Sequence, residues 1–231
     1  MNFFSPESQP WKAMGKAVDF VGLSLCAVFS SLLIVTIPAS FAALYTAIVK
    51  EFRYGDNTPF KTYFDSFKRN LKQGIIIMLI FIPFFFFFSF GYAIMREHSD
   101  TREGAFLFTF YYVLLFIPAG IMINTFPLLG RFEYSTKELL KTSIFLTFAH
   151  LFSTFIIVLL TLELTLWTVN KYSPCFITPS LWAFLSSFFL EKNYKKHLSV
   201  EDSAKLENLT VEEYLEKEEK RKEFFSHWKK H

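Results

Sequence analysis

Apolar residues in this chain gather into long blocks, separated by short polar segments that hold nearly all the charge. A soluble globular fold would spread the same residues at helix or strand period. The blocks run from Val18 to Val49, Gly74 to Met95, Ala105 to Leu129, Ser143 to Val169 and Phe176 to Leu190. They predict an all-α, polytopic transmembrane helical bundle with about five crossings. The first block as one helix would be roughly 48 Å long against a hydrocarbon core of ~30 Å. It must tilt, protrude or break, and Pro38 marks the break because it removes a backbone donor and clashes with the preceding turn. Whether the break makes a re-entrant hairpin stays open. Beyond it, Ala39, Ala43 and Ala47 recur every four residues, a face that lets another helix approach closely. The last block is short and contains Pro179.

The polar segment from Lys50 to Gln73 carries its own pattern. Gly55-Asp56-Asn57 is turn chemistry, and Thr58-Pro59 reads as a helix N-cap followed by a first-turn proline. Phe60, Tyr63, Phe64, Phe67 and Leu71 then repeat at helical spacing, with Lys61, Lys68, Arg69 and Lys72 mostly off that stripe. This predicts an amphipathic helix that lies flat in the membrane interface or docks its aromatic face on a partner. Ser135 with Glu138 is a capping-box pattern that starts a helix ahead of the fourth crossing. Thr210 with Glu213 is another. It opens an exposed helix supported by the pairs Glu213–Lys217, Glu216–Lys220 and Glu218–Lys222. Phe224, Phe225 and Trp228 near its end either touch the membrane surface or fray. The chain thus divides into an N-terminal segment (1–17), a transmembrane domain (18–191) and a polar, partly helical tail (192–231).

Composition adds little to this and excludes much. The mean hydropathy is +0.30 and 52% of the 231 residues are hydrophobic, a modest excess over soluble proteins, so the distribution decides the class. The 32 phenylalanines, with the run Phe84 to Phe88 as the extreme, suit lipid-facing positions that need only be apolar. Lys12 and Lys16 ahead of an apolar stretch resemble a signal peptide, but the stretch outruns the usual signal core of ~7–15 residues and reads as a retained helix. Cys26 and Cys175 lie in no CxxC or Cys/His cluster, and the net charge of +3 is too slight to argue for nucleic acid. No catalytic residue, cofactor or metal site is expected, for no GxSxG, HExxH or P-loop occurs, and His227 with His231 lacks a third ligand.

Charge also orients the chain. With five crossings, Lys50, Arg53, Lys61, Lys68, Arg69 and Lys72 share a side with Arg131, Lys137 and Lys141 and with Lys192, Lys195 and Lys196. Lys12, Lys16, Arg96, Arg102 and Lys171 fall on the other side. The positive-inside rule then predicts a multi-pass protein of the cell membrane with a cytoplasmic tail and its N-terminus outside. Trp11, Tyr92, Tyr111, Trp167 and Tyr172 would form the outer aromatic belt. Polar groups within the crossings are Asn124, His150 and Glu163. His150 reads as a structural histidine or a ligand or proton site, and Glu163 as a carboxyl reaching the outer headgroups.

Several short motifs occur in order along residues 15–195: Pro38-Ala39 with Ala43-Leu44-Tyr45; Tyr63-Phe64, Ser66-Phe67-Lys68, Asn70 and Lys72-Gln73; Pro127-Leu128-Leu129 with Arg131-Phe132, then Leu140-Lys141 and Ala149-His150-Leu151; and Pro179. In this arrangement the chain resembles the YesL-like family, a bacterial membrane domain of unknown function. The resemblance leaves the tail beyond Lys196 unexplained. It implies association with carbohydrate ABC-importer permease subunits or a membrane sensor kinase, beside the lipid bilayer itself. The partner surface would comprise Phe60, Tyr63, Phe64, Phe67, Lys68 and Arg69 with the Arg131–Phe132 corner, aromatic and guanidinium groups being enriched at interface centres. The alternative is a small stand-alone transporter or channel whose helix breaks at Pro38, Pro83 and Pro118 line a site near the midplane. Few polar groups are present to line such a path, and no internal repeat accompanies it.

Overall fold

The computed structural model describes residues 9–97, 101–171, 176–197, 207 and 209–228. Tyr172, Cys175 and His231 fall outside them, as do the side chains of Trp11, Lys12, Phe224, Phe225, His227 and Trp228. The described residues form helices and connections without a strand, so the chain is an all-α bundle. In order come α1 (Gln9–Ser30), a 3₁₀ turn (Ile34–Thr36), α2 (Ile37–Tyr54), α3 (Pro59–Glu97) and α4 (Arg102–Arg131). Then follow α5 (Thr136–Ala149), α6 (Leu151–Lys171), α7 (Thr178–His197) and α8 (Val211–Trp228). The chain divides into two compact units, Met1–Phe189 and Leu190–His231. Among the described residues, four helical stretches are long and apolar enough to cross a membrane: Ile34–Tyr54, Pro59–Ile94, Glu103–Arg131 and Leu151–Asn170. The expected fifth crossing, Phe176–Leu190, lies largely on α7, which is not among these four.

The first apolar block is not one helix bent at Pro38. It is a pair of helices folded back on each other. The break falls at residues 31–36, and Pro38 sits in the first turn of α2, where its missing N–H costs nothing. Hydroxyls close the turn: Ser31 donates to the Ala27 carbonyl, and Thr36 donates to Leu33 O at 2.7 Å. Ser40 Oγ then reaches Ala27 O at 2.9 Å, while Phe20 meets Phe52 edge-on at 5.7 Å. The last residues of α1 thus meet the first of α2, and earlier ones meet later ones. This is an antiparallel hairpin, and it brings Lys16 over the Phe52 ring at 5.8 Å, beside Lys50 and Arg53.

Helix α2 ends as its sequence predicts. Gly55 adopts the left-handed conformation (φ 74°), and the Gly55 and Asp56 amides donate to the carbonyls of Glu51 and Lys50. Asp56 then accepts from Thr58 N, Thr58 Oγ1 and, at 2.7 Å, Thr62 Oγ1, tying the turn to the start of α3. The amphipathic segment is not a separate interfacial helix. It runs without interruption into the second crossing, through Gly74 and Pro83, as one helix of 39 residues. At 1.5 Å per residue that is a rod of about 58 Å.

Gly74 is no boundary because its bare backbone is where α2 docks. A Cβ there would lie 2.9 Å from both Ala39 Cβ and Ala39 N. Gly130, near the end of α4, meets α2 from another side, where a Cβ would lie 2.9 Å from the Ala42 carbonyl carbon and closer still to its oxygen. Ala39, Ala42, Ala43 and Ala47 are fully buried, so the small-residue face is a packing surface. Phe41 continues it with ring contacts to Phe126 and Trp182. Helix α7 closes on the hairpin through Ser180, whose hydroxyl donates to Phe20 O at 2.8 Å and accepts from Ser24 Oγ at 2.7 Å.

Further caps appear as read. Ser135 and Glu138 form the reciprocal capping box that starts α5, and Thr210 and Glu213 form the one before α8. The fourth crossing is broken at His150, which caps α5 with φ −126° and ψ 47°, and α6 resumes at Leu151. In the second unit, Glu216 pairs with Lys220 as expected. Lys217 turns instead to Glu207, at 2.6 Å, which also binds Lys195.

Candidate functional site

The aromatic stripe at the start of α3 divides into an anchored side and a presented side. Tyr63 is fully buried, its hydroxyl 3.0 Å from Ser40 Oγ and donating to Cys26 O at 3.3 Å, so it is bolted to the hairpin. Phe67 stacks on Tyr63 with ring planes 9° apart, and Phe60 lies against the bare backbone of Gly22. Arg69 donates to Gly130 O at 3.3 Å and Gln73 to Tyr134 O at 2.9 Å, fixing α3 to the end of α4. What faces outward is Phe64, 46% exposed and edge-on to Tyr63, and the exposed part of Phe60, with the exposed cations Lys61, Lys68 and Lys72. Of the expected partner face, Tyr63 and Arg69 serve the fold, and Phe64 and Lys68 are presented.

The Arg131–Phe132 corner is partly occupied by the protein itself. The Arg131 guanidinium sits 5.4 Å from the centre of the Tyr54 ring, and Phe132 stacks on Tyr134 at 5.3 Å. Both remain half-buried. The corner adjoins α3 through the Arg69–Gly130 bond.

The intramembrane polar residues do not converge. Asn124 is buried and donates to Gly120 O at 2.9 Å and Thr147 Oγ1 at 3.2 Å, joining α4 to α5. His150 lies at the α5–α6 break, half-buried. Glu163 points outward from α6, exposed, with Trp167 one turn on. Among the described residues no group of three or more His, Cys, Asp or Glu could hold a metal.

Sequence reasoning passed over Glu51. It belongs to α2, not to the polar loop, and is 3% exposed with Lys16, Asp19 and Asp56 as the charges around it. Its Oε2 meets no hydrogen-bond partner among the described residues. A buried carboxyl oxygen left without a hydrogen bond carries a desolvation cost. Only its position beside Lys50, at the end of an apolar block, could have signalled it. The neighbouring Asp56, outside the spans, has its carboxyl held below the ordinary range by the hydrogen bond from Thr62, then by Thr58.

Taken together, these features define an all-α membrane protein whose hairpin and long third helix form one packed body. Residues 20–92, from the middle of α1 through α2 and along α3 as far as Tyr92, match a family described as a protein of unknown function, DUF624. The match covers less than half of the chain. No curated protein and no solved structure matches.

Proposed function

We propose that the chain is an accessory membrane component of a carbohydrate (oligosaccharide) uptake or sensing system, the role its YesL-like motifs imply. It would dock on ABC-importer permease subunits or a membrane sensor kinase. The observation that carries this reading is the presented side of α3: Phe64 among Lys61, Lys68 and Lys72, held rigid from behind by Tyr63 and Arg69. An aromatic ring among cations on a preorganised helix loses little entropy on binding. Orientation follows the same residues. Because the hairpin doubles back, Lys16 joins Lys50 and Arg53 at one end, and the positive-inside rule assigns that end, with the tail, to the cytoplasm. The outside N-terminus expected of a single first crossing becomes cytoplasmic in this reading.

A stand-alone transporter of hydrophilic solutes finds less support. A cavity between the hairpin and helices α3, α4, α6 and α7 is lined almost wholly by apolar side chains, and the hydroxyls in its wall are already hydrogen-bonded. The test is native co-purification of the tagged protein from its own membranes, parent against Phe64→Ala combined with Lys68→Glu. Stoichiometric permease or kinase subunits with the parent, lost from a variant that still inserts and stays monodisperse, are the expected result. Retention by the variant, or recovery of the parent alone, overturns the assignment.

A further inference from the structure

A cavity of about 530 Å³ lies between the hairpin and helices α3, α4, α6 and α7. Val28 and Ile37, on either side of the hairpin turn, form part of its wall, and Trp182 forms another part. A second cavity of about 410 Å³ shares Phe85, Ala119 and Met122 with the first and continues between α3, α4 and α6. Its wall carries no polar side chain.

The polar groups around the larger cavity are spent. Thr161 donates to Ile157 O, Thr165 to Thr161 O and Thr168 to Leu164 O, each at 2.7 Å, and the Trp182 indole donates to Thr161 Oγ1 at 2.9 Å. Thr168 and Thr178 hydroxyls bond each other at 3.0 Å. A sugar or a headgroup would therefore meet a wall with almost nothing left to bind it, and would lose its hydration uncompensated.

Size excludes a partner helix. One helical turn 10 Å wide and 5.4 Å long fills roughly 420 Å³, so the first cavity holds little more than a single turn and the second no more than one. A flexible hydrocarbon chain fits both lobes in succession. Access is lateral, because wall residues of the first cavity are also outward-facing: Phe85 is 46% exposed and Val169 63% exposed, on helices whose outer surfaces are apolar. Immediately beside the hairpin residues of the wall, Phe29, Leu32, Leu33 and Ile34 are exposed, so the same turn is wetted by hydrocarbon on its outer side.

We infer that these joined cavities are a binding site for one lipid hydrocarbon chain, which enters from the bilayer and packs between the hairpin turn and the α4–α6 wall. The site is independent of the docking role of α3. The chain replaces side-chain packing that the structure does not itself supply, and so holds the hairpin against the crossings.

Trp182 reports on occupancy, being 5% exposed and part of the wall. The full-length protein carrying Trp11→Phe, Trp167→Phe and Trp228→Phe retains it as the single tryptophan. In nanodiscs of phosphatidylcholine brominated on the acyl chain, its emission falls relative to unbrominated discs. The added substitution Ala119→Phe, which fills the junction of the lobes, restores it. Thr165→Leu, a milder filling of the wall, restores part of it and guards against misfolding of the first. Added polyprenol relieves the quenching if the site prefers a branched chain and leaves it if it prefers an acyl chain. Unquenched Trp182, or equal quenching in parent and filled variants, overturns the inference.

Discussion

Helix α2 and the three other membrane-length helices are all apolar, yet they live in different surroundings. In α2, 72% of the spanning window is buried within the protein, against 22%, 12% and 17% for the stretches on α3, α4 and α6. Apolarity does not explain the difference, since the most buried stretch is the least apolar of the four. What differs is side-chain size: α2 uses Ala39, Ala42, Ala43 and Ala47 to let backbones approach, whereas α3 uses Phe84 to Phe88 to fill lipid. A protein-facing helix must match its neighbours atom by atom. A lipid-facing helix need only be apolar, since lipid adapts its own shape.

That contrast can be broken hardest at the glycines. Gly130→Leu forces a side chain into the Ala42 backbone, which cannot yield as a side chain could. A loss of about 3 kcal/mol or more is expected, seen as a large drop in the thermal midpoint in detergent. Tyr63→Phe comes next. It removes the hydroxyl shared by Ser40 and the Cys26 carbonyl and is expected to cost about 1–2 kcal/mol, with helix content unchanged before melting.

The second unit supplies a comparable effect controlled by pH. Burial alone would raise the Glu207 carboxyl, but the Lys195 and Lys217 ammonium groups outweigh it and hold it below the ordinary carboxylate range. A lowered folded pKa means the stabilisation is complete above the ordinary carboxylate pKa and is lost as pH falls through the folded value. The protection of α8 amides, taken relative to their intrinsic exchange rates at each pH, should therefore fall below about pH 4. Glu207→Gln should exchange faster at neutral pH and lose that dependence. The smallest effect belongs to the lipid face. Phe86→Leu, at a position 75% exposed, should change stability by less than about 0.5 kcal/mol. An effect as large as that at Gly130 would erase the distinction between the two regions.

The sequence was most legible where the physics is local. Both capping boxes, the Gly55 turn and the Pro59 start of α3 depend on residues within four positions of each other, and all are found as read. The hairpin was misplaced to Pro38 because proline marks where a helix can begin, whereas the chain reverses at 31–36 through Ser31 and Thr36 hydroxyls that carry no distinctive pattern. The continuity of α3 was hidden because Gly74, beside Lys72, looks like a boundary until Ala39 is seen against it. Within the site, helical spacing identified Phe60, Tyr63, Phe64 and Phe67 as one face. Periodicity cannot say which ring is swallowed by a distant segment, so Tyr63 and Phe64 looked equivalent. Glu51 was passed over for the same reason, since its burial comes from tertiary neighbours.

The unbroken length of α3 gives the molecule a mechanical property. One continuous helix carries Phe64 and Lys68 near one end and the phenylalanine run, just beyond Pro83, near the other, pinned between them where Gly74 rests on Ala39. A pinned rod is a lever. A tilt imposed at the lysine end must sweep the aromatic end sideways through the bilayer, so a grip on one end would be felt as lateral pressure by whatever lies beside the other.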